Sequence, residues 1–279
     1  MWPHGESIPL PATVFGILRD LIQERAGIFF DADKRDLLAD KLSARVVERG
    51  FNTFLDYYYL LKYGPDSGSE WPHVLDALSV QETYFWREVD QIQALARDIL
   101  PRFVAACPGR PAQIWCAACA TGEEPLTIAM ALSEAGWFER LPIQILASDA
   151  SSAAIAKARR GIYRERSFRT IPKALQDKYF AAAPGGWQVS PDLSSRVEFA
   201  NANLMCPEEI APLASSPFIF CRNVFIYFSP DAISRTVRFF ARKMPRPGYL
   251  FVGASESLMR LSTDFDLAAA GEAFVYQLK

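Results

Sequence analysis

Apolar side chains recur every three to four residues through the first part of the chain, which is the spacing of one face of an α-helix. Polar capping residues precede three such stretches and glycines follow them, so the pattern predicts three short helices. A turn-rich stretch at residues 62–69 predicts a break before a fourth helix around residues 71–79. Residues 1–80 are therefore predicted to form a small all-helical domain. The predicted starts and ends of the first three helices are Thr13 and Gly27, Asp33 and Gly50, and Thr53 and Gly64.

The pattern changes after a predicted helix near residues 88–100 and a turn at residues 108–111. Short apolar runs then alternate with helical stretches, which is typical of parallel βαβ units. We expect an α/β fold with a doubly wound, Rossmann-like sheet over residues 111–279, joined to the first domain through residues 81–110. A lapse in the alternation predicts a short β-rich insert at about residues 167–197. The predicted strands are residues 113–117, 143–147, 217–221, 250–253 and 274–278.

Composition and charge narrow the class of protein. The 279 residues suit two domains, and 50% hydrophobic residues can fill a sizeable core. A net charge of −2 gives no overall positive field, so we expect neither a nucleic-acid partner nor binding to anionic lipid. The first residues lack a signal-peptide pattern, and Arg222 and Asn223 interrupt the longest apolar run. These features predict a cytoplasmic protein without membrane insertion.

The cysteines favour reduced thiols because five is an odd number in a chain of this length. Cys116 and Cys119 have the spacing of a metal or redox pair. No second pair exists, however, and the only histidines are His4 and His73. We therefore expect no metal site.

The first predicted strand leads into a loop of small residues and then into two adjacent carboxylates, Glu123 and Glu124. Small side chains allow a ligand to lie against the backbone, and neither a Walker loop nor a G-x-G-x-x-G fingerprint is present. The carboxylates would repel a pyrophosphate and suit an ammonium or sulfonium group. The alternative is an ordinary turn in which the two glutamates favour the helix dipole.

Polar residues also follow the next predicted strands, where ligands bind in open α/β sheets. Asp149 suits the hydroxyls of a ribose, and its alternative role is the N-cap of the following helix. Arg222, Asn223 and Tyr227 suit a ligand or substrate; alternatively Arg222 pairs with an acidic neighbour and Tyr227 packs in the core. The segment at residues 81–87 is either part of the site or interdomain packing.

Seven segments in the same order resemble the CheR family of chemotaxis receptor methyltransferases, which use S-adenosylmethionine to esterify glutamate side chains of chemoreceptors. The resemblance spans nearly the whole chain, and its strength lies in the order of the segments, since each alone is weak. The segments are residues 82–88, 118–125, 147–149, 158–163, 203–204, 220–228 and 253–257.

The resemblance implies an S-adenosylmethionine site, with S-adenosylhomocysteine as product and the cytoplasmic helices of chemoreceptors as substrate. It also implies that Arg87 and Tyr227 are catalytic residues that flank the transferring methyl group and the incoming glutamate. A glutamate carboxylate, with a pKa of about 4.3, is already ionised at neutral pH, so the reaction needs no general base. The implied cofactor-binding residues are Gln81, Thr83, Arg87, Glu123 or Glu124, Asp149, Asn203, Leu204, Arg222 and Asn223.

Three basic residues, Lys41, Arg45 and Arg49, share one face of the second predicted helix. In a receptor methyltransferase this face would dock the acidic receptor helices; the alternative is a solvated surface. The β insert is short compared with members that grip a receptor tail, so we expect weak or no binding of a receptor C-terminal pentapeptide. We also expect a monomer.

Two other functions stay open beside receptor methylation. One is a regulatory module that binds S-adenosylmethionine without transferring its methyl group. The other is a methyltransferase of the same fold that acts on another substrate. An NAD-dependent oxidoreductase is disfavoured because the glycine fingerprint is missing.

Overall fold

The computed structural model describes residues 8–279, so His4 lies outside the described residues. Its first part contains four helices, as the pattern predicts. Thr53 caps the third helix by accepting a hydrogen bond from the amide of Asp56. The other caps differ: Thr13 lies inside the first turn, and Asp33 lies in a short 3₁₀ turn before the second helix. The helices are α1 (Ala12–Ala26), α2 (Arg35–Glu48), α3 (Phe54–Tyr63) and α4 (Ser67–Leu78).

These helices enclose their own cluster of buried apolar side chains, from Ile8 to Leu78. Leu18, Leu42 and Val74 are fully buried in it, each at the helical spacing that the sequence shows. Helix α4 begins four residues earlier than predicted, so the turn-rich stretch is partly helical. A nearly continuous helix follows, with α5 (Asp90–Ala94), a π-helical turn (Leu95–Ile99) and α6 (Leu100–Ala106).

The remaining strands and helices alternate, as predicted for an α/β fold. The strands are β1 (Ala112–Ala117), β2 (Ile143–Asp149), β3 (Ile162–Tyr163), β4 (Phe180–Ala183), β5 (Gly186–Val189), β6 (Val197–Asn201), β7 (Phe218–Phe220), β8 (Tyr249–Phe251), β9 (Phe265–Ala270) and β10 (Ala273–Leu278). The helices are α7 (Glu123–Glu134), α8 (Ser152–Arg160), α9 (Lys173–Tyr179), α10 (Pro191–Ser194), α11 (Pro207–Ile210) and α12 (Pro230–Lys243).

Seven strands form one sheet in the order β6-β2-β1-β7-β8-β10-β9. The first five are parallel, and β9 and β10 close the edge as an antiparallel hairpin. The five predicted strands are all in this sheet. The pattern missed β6 and β9, which are the two edge strands and carry exposed or half-buried residues in place of a continuous apolar run.

The β-rich insert is a small antiparallel sheet in the order β3-β5-β4. Its hairpin lies within the predicted range, whereas β3 precedes that range. Phe168 and Phe180 of this region pack their rings 5.1 and 4.9 Å from the ring of Phe85, which comes from the segment before α5. The insert is thus anchored to the segment that leads into the sheet domain. In residues 8–279, no helix is both long and apolar enough to cross a membrane.

Candidate active site

The order in which strands are added to the sheet reverses between β1 and β7, because β2 and β6 lie on one side of β1 and β7 lies on the other. Loops that leave the carboxyl ends of such strands form a crevice in which ligands bind. Here Ala118, Ala120 and Asn223 have positive φ angles of 58°, 49° and 58°. This conformation is unfavourable for residues other than glycine and is found in ligand-binding loops. The small residues after β1 therefore expose backbone to the crevice, as predicted.

A cavity of about 380 Å³ occupies this crevice, within the range typical of small-molecule sites. Helices of the first domain form one wall of it, and the loops after the strands form the other. Lining residues that the sequence singled out are Lys41, Asp149, Asn203, Leu204, Asn223 and Tyr227.

Asp149 lies at the end of β2 with its side chain almost fully buried at the cavity. Its Oδ2 accepts a hydrogen bond of 2.9 Å from the amide of Ala120, and its Oδ1 accepts one of 2.8 Å from the amide of Ser151. Burial raises its pKa above the ordinary value. The N-cap alternative is wrong, because the hydroxyl of Ser151 caps α8.

A smaller cavity adjoins the larger one, and the two share Val80, Ala118, Ala120 and Asn223. It is also lined by Thr83, Arg87, Glu124 and Arg222.

Arg222 is buried beneath this smaller cavity, with 1% of its side chain exposed. Its Nε lies 2.8 Å from Oε2 of Glu124. Its Nη groups donate hydrogen bonds of 2.7 and 2.9 Å to the carbonyl oxygens of Arg87 and Glu88. Arg222 therefore pairs with an acidic neighbour, Glu124, as one of its two interpretations predicts. Its hydrogen bonds to the two carbonyl oxygens fix the backbone that carries Arg87.

Burial raises the pKa of Glu124, and the guanidinium of Arg222 opposes that rise. The carboxylates of Glu88 and Glu256 lie close enough to raise it further. The charged residues that line the smaller cavity are Glu82, Glu124, Arg87 and Arg222, so Glu124 is a carboxylate that can face a positively charged ligand group there.

Two predicted cofactor residues lie outside the lining of both cavities. Glu123 turns away from them and accepts hydrogen bonds of 2.6 Å from Thr121 and 3.0 Å from Ser167. The oxygen of the Gln81 side chain accepts a hydrogen bond of 2.7 Å from Lys157. Of the two adjacent glutamates, it is Glu124 that faces the cavity, and Gln81 lies at the surface beside α8.

Arg87 lines the smaller cavity and Tyr227 lines the larger one, and both side chains are partly exposed. The guanidinium of Arg87 donates a hydrogen bond of 3.0 Å to the carbonyl of Glu82 and stays partly exposed. Tyr227 is 36% exposed, so the core-packing alternative is wrong for this residue. Partial burial raises its pKa. Its phenol is therefore neutral at physiological pH and able to donate a hydrogen bond.

Lys41 and Arg45 of α2, and Arg49 directly after its last residue, lie on the side of that helix that faces α4. Arg49 is exposed, and docking of a receptor at these residues stays a prediction. Arg45 binds Glu70, which is 1% exposed, through three hydrogen bonds of 2.8 to 3.1 Å, and Nε of Arg49 lies 3.5 Å from the same carboxylate. The hydroxyl of Tyr57 donates a further hydrogen bond of 2.6 Å to it. A buried carboxylate requires such partners, so Arg45 serves the helical core.

Lys41, on the same face, lines the larger cavity. Its ammonium donates hydrogen bonds to the carbonyl oxygens of Ala77 and Leu78, which end α4. Burial lowers its pKa. Lys41 thus contributes to the wall of the crevice.

Sequence reasoning missed the contribution of the first domain to this wall. Phe29, Lys34 and Leu37 line the larger cavity, and the amide of Phe29 donates a hydrogen bond of 2.9 Å to the carbonyl of Tyr227. The sequence does carry a signal for this contribution. An Ile-Phe-Phe run directly after Gly27 places apolar side chains in a predicted loop, where they are available for contact with another part of the protein.

Cys116 and Cys119 are buried free thiols, and burial raises both pKa values well above the ordinary range. Thiolates are the form that binds metals and reacts, so these residues act as small core side chains.

The residues present fit S-adenosylmethionine. Each oxygen of Asp149 keeps acceptor capacity beside its one backbone hydrogen bond, which suits ribose hydroxyls. The carboxylate of Glu124 in the smaller cavity suits the ammonium group, and Ala118 and Ala120, which line both cavities, leave room for the ligand between them. The fold and this site together define a methyltransferase that uses S-adenosylmethionine.

Comparison with known proteins gives the family. The domain described as "CheR methyltransferase, all-alpha domain" matches residues 14–79, and "CheR methyltransferase, SAM binding domain" matches residues 81–274. The chain belongs to the CheR methyltransferase family.

Three relatives illustrate the similarity. Chemotaxis protein methyltransferase 2 of Vibrio cholerae is 35% identical over 261 residues, covering 92% of this chain and 90% of that protein. The chemotaxis protein methyltransferase of Klebsiella aerogenes is 35% identical over 94% of this chain and 89% of its own length. That of Escherichia coli is 32% identical over 94% and 90%. The solved structure of magnesium protoporphyrin IX methyltransferase from Synechocystis with bound SAM aligns over 80% of this chain and 93% of that one. The identity is 13% and the TM-score is 0.33.

Proposed function

We propose that this protein transfers the methyl group of S-adenosylmethionine to glutamate side chains of chemoreceptors, giving glutamate methyl esters and S-adenosylhomocysteine. The observation that carries the proposal is the pair of joined cavities, which share Asn223 and are lined by Tyr227 on the larger side and by Arg87 on the smaller side. The names of the relatives, chemotaxis protein methyltransferases, support the choice of substrate.

The lining residues that the sequence analysis singled out have proposed binding roles that follow from their surroundings. Asp149 accepts hydrogen bonds from the ribose hydroxyls, and Glu124 faces the ammonium group. Thr83, Asn203, Leu204 and Asn223 complete the walls, and Arg222 holds Glu124 and the Arg87 backbone in place. When bound, S-adenosylmethionine supplies a methyl group on positively charged sulfur.

The protein has little acid–base chemistry to perform, because a glutamate carboxylate is already ionised at neutral pH. Its residues contribute by positioning and by excluding water. Arg87 is partly exposed at the mouth and can orient the incoming carboxylate, since a guanidinium matches the two oxygens. The phenol of Tyr227, which lines the larger cavity, can donate a hydrogen bond to the incoming carboxylate.

The experiment that tests the proposal is transfer of labelled methyl from S-adenosylmethionine to membranes that contain chemoreceptors. Counts released as methanol by mild alkali establish a carboxyl ester. Alkali-stable counts would indicate methylation of another atom and so favour a different substrate. Cofactor binding without any transfer would favour the regulatory module.

Arg87 provides a sharper test within the same assay. Arg87→Lys keeps the charge but loses two-pronged recognition of a carboxylate, so we expect kcat/KM for the receptor to fall about tenfold or more. Arg97→Lys is the matched control, because Arg97 is exposed on the π-helical turn outside both cavities. Equal activity of the two variants would contradict the role of Arg87.

We further propose that the receptor's C-terminal pentapeptide binds weakly or not at all. The support is the size of the insert, whose hairpin strands β4 and β5 have four residues each. Calorimetry with such a peptide should show no saturable heat at micromolar concentration, and a tight complex would contradict the proposal. We also propose a cytoplasmic monomer.

A further inference from the structure

Glu256 lies in the segment at residues 253–257, one of those that resemble the family, and lines neither cavity although its charge acts on Glu124. Its carboxylate accepts three backbone hydrogen bonds. Oε2 accepts from the amides of Gly253 at 2.6 Å and Asn223 at 2.8 Å, and Oε1 accepts from the amide of Ile226 at 3.2 Å. One side chain thus ties the end of β8 to the end of β7 and to the short turn that contains Tyr227.

Glu88 holds the same two loops from another direction. Its Oε1 accepts a hydrogen bond of 3.1 Å from Nδ2 of Asn223, and its Oε2 accepts one of 3.1 Å from the amide of Ala254. The loop after β7 is therefore held by two carboxylates, one on its backbone and one on the Asn223 side chain.

The backbone at this point shows how closely the loops are fixed. Asn223 has a φ of 58°, a conformation that persists only where surrounding contacts enforce it. A Cβ added to Gly253 would lie 2.6 Å from Nδ2 of Asn223 and 2.9 Å from Oε2 of Glu256. Only glycine at this position allows the two loops to approach so closely.

The position of Tyr227 depends on this arrangement, because the hydrogen bonds that hold it in the structure are made by the backbone. Its amide donates to the carbonyl of Val224 at 3.0 Å, its carbonyl accepts from Phe29, and the residue before it is bound by Glu256. A displacement of about 1 Å at a reacting centre can cost about a hundredfold in rate.

We propose that Glu256 is a positioning residue for methyl transfer, which holds the turn at residues 225–227 so that Tyr227 faces the joined cavities. This inference rests on the proposed function. Glu256 does not line either cavity, so it acts through Tyr227 rather than on the substrate.

Two variants separate positioning from charge. Glu256→Asp keeps the charge but is one methylene too short to reach all three amides, whereas Glu256→Gln keeps the length but presents an NH₂ group to at least one amide donor. We expect both to lower kcat about tenfold or more, with a smaller change in the dissociation constant for S-adenosylmethionine. Glu272→Gln, at an exposed site before β10, is the matched control and should behave as wild type. Wild-type kcat in Glu256→Asp would overturn the proposal in favour of a purely electrostatic role.

A double-mutant cycle with Tyr227→Phe tests whether Glu256 acts through Tyr227. We expect the double variant to be no slower than the slower single variant, because the two residues then belong to one unit. Rate losses that multiply would overturn the proposal.

Hydrogen exchange at the amides of Asn223 and Ile226 gives a readout that does not depend on activity. We expect faster exchange in Glu256→Asp than in wild type or Glu272→Gln, at unchanged protection of the central strands. Unchanged exchange at both amides would overturn the proposal. Absence of transfer by the wild-type protein would instead count against the proposed function, and exchange would still decide whether Glu256 fixes the turn.

Discussion

Single residues at this site differ in role although their chemistry is alike. Asp149 and Glu124 face the cavities, whereas Glu123 is turned into the protein and bound by two hydroxyl groups. Neighbouring positions on a helix point about 100° apart, so adjacent glutamates cannot share one environment. The sequence did not show which of the two glutamates faces the ligand site, and the helix geometry places Glu124 there.

Asp149 gives a prediction on pH dependence. Burial raises its pKa, and the proposed ribose contacts need the ionised form. Acidification from neutral pH towards the raised pKa should therefore weaken S-adenosylmethionine binding. The effect on folding has the opposite sign, since a raised carboxylate pKa contributes stability at low pH that is lost as pH rises through it.

The measurement is calorimetric binding of S-adenosylmethionine between pH 7.5 and 5.5. Asp149→Asn should bind about tenfold more weakly at neutral pH and show a flatter pH dependence. Asp192→Asn, at an exposed carboxylate in the insert, should keep the wild-type slope. An unchanged affinity in Asp149→Asn would contradict the ribose assignment.

At the scale of elements, polar contacts decide how helices pack once their apolar faces are buried. Asp76 of α4 accepts hydrogen bonds from Ser151, Ser152 and the amide of Ala153, and so joins the first domain to the start of α8. The Arg45–Glu70 pair joins α2 to α4 in the same way. The apolar periodicity predicted the helices, but these long-range partners have no signal in the local pattern.

The Arg45–Glu70 pair gives a prediction on stability. Arg45→Ala leaves a buried carboxylate with fewer partners, so we expect a loss of about 3 kcal/mol in the free energy of unfolding. Arg35→Ala, which removes an exposed pair with Asp36, should change it by less than about 0.5 kcal/mol. Chemical denaturation measures both. Equal stability of the two variants would show that Arg45 is not a structural partner of Glu70.

At the scale of the whole molecule, the crevice exists because the helical domain lies against the ends of the strands. Gly27 ends α1 with a φ of 74°, and its neighbours pair with the segment after Tyr227. A Cβ at Gly27 would lie 2.7 Å from the ring of Phe228. The contact between the two domains therefore requires glycine for both backbone conformation and space.

Gly50 is a matched control for this contact, because its φ is 79° and no atom lies within 4 Å of an added Cβ. Both Gly27→Ala and Gly50→Ala should cost about 1 kcal/mol of backbone strain. Only Gly27→Ala should also weaken S-adenosylmethionine binding, because it pushes the helical wall away from the cavity. Thermal unfolding with and without the cofactor, together with calorimetry, tests this. Equal affinities in the two variants would contradict a shared wall.

Periodicity and residue chemistry alone determined much of this protein. Helical and strand periods depend on neighbours within a few residues, so the four N-terminal helices, the five central strands and the insert hairpin could be predicted. The small-residue loop, Asp149 and Asn223 could be placed because loops after parallel strands meet at one edge of a sheet.

Only the tertiary structure decided which side chains meet across long stretches of chain. A helical pattern shows that Lys41, Arg45 and Arg49 share a face, but not that α4 covers that face and supplies Glu70. The same applies to Phe29 in the cavity wall and to Glu256 beneath the turn of Tyr227. These contacts arise from the packing of distant elements, and the physical reason is that burial and hydrogen bonding depend on neighbours in space rather than in sequence.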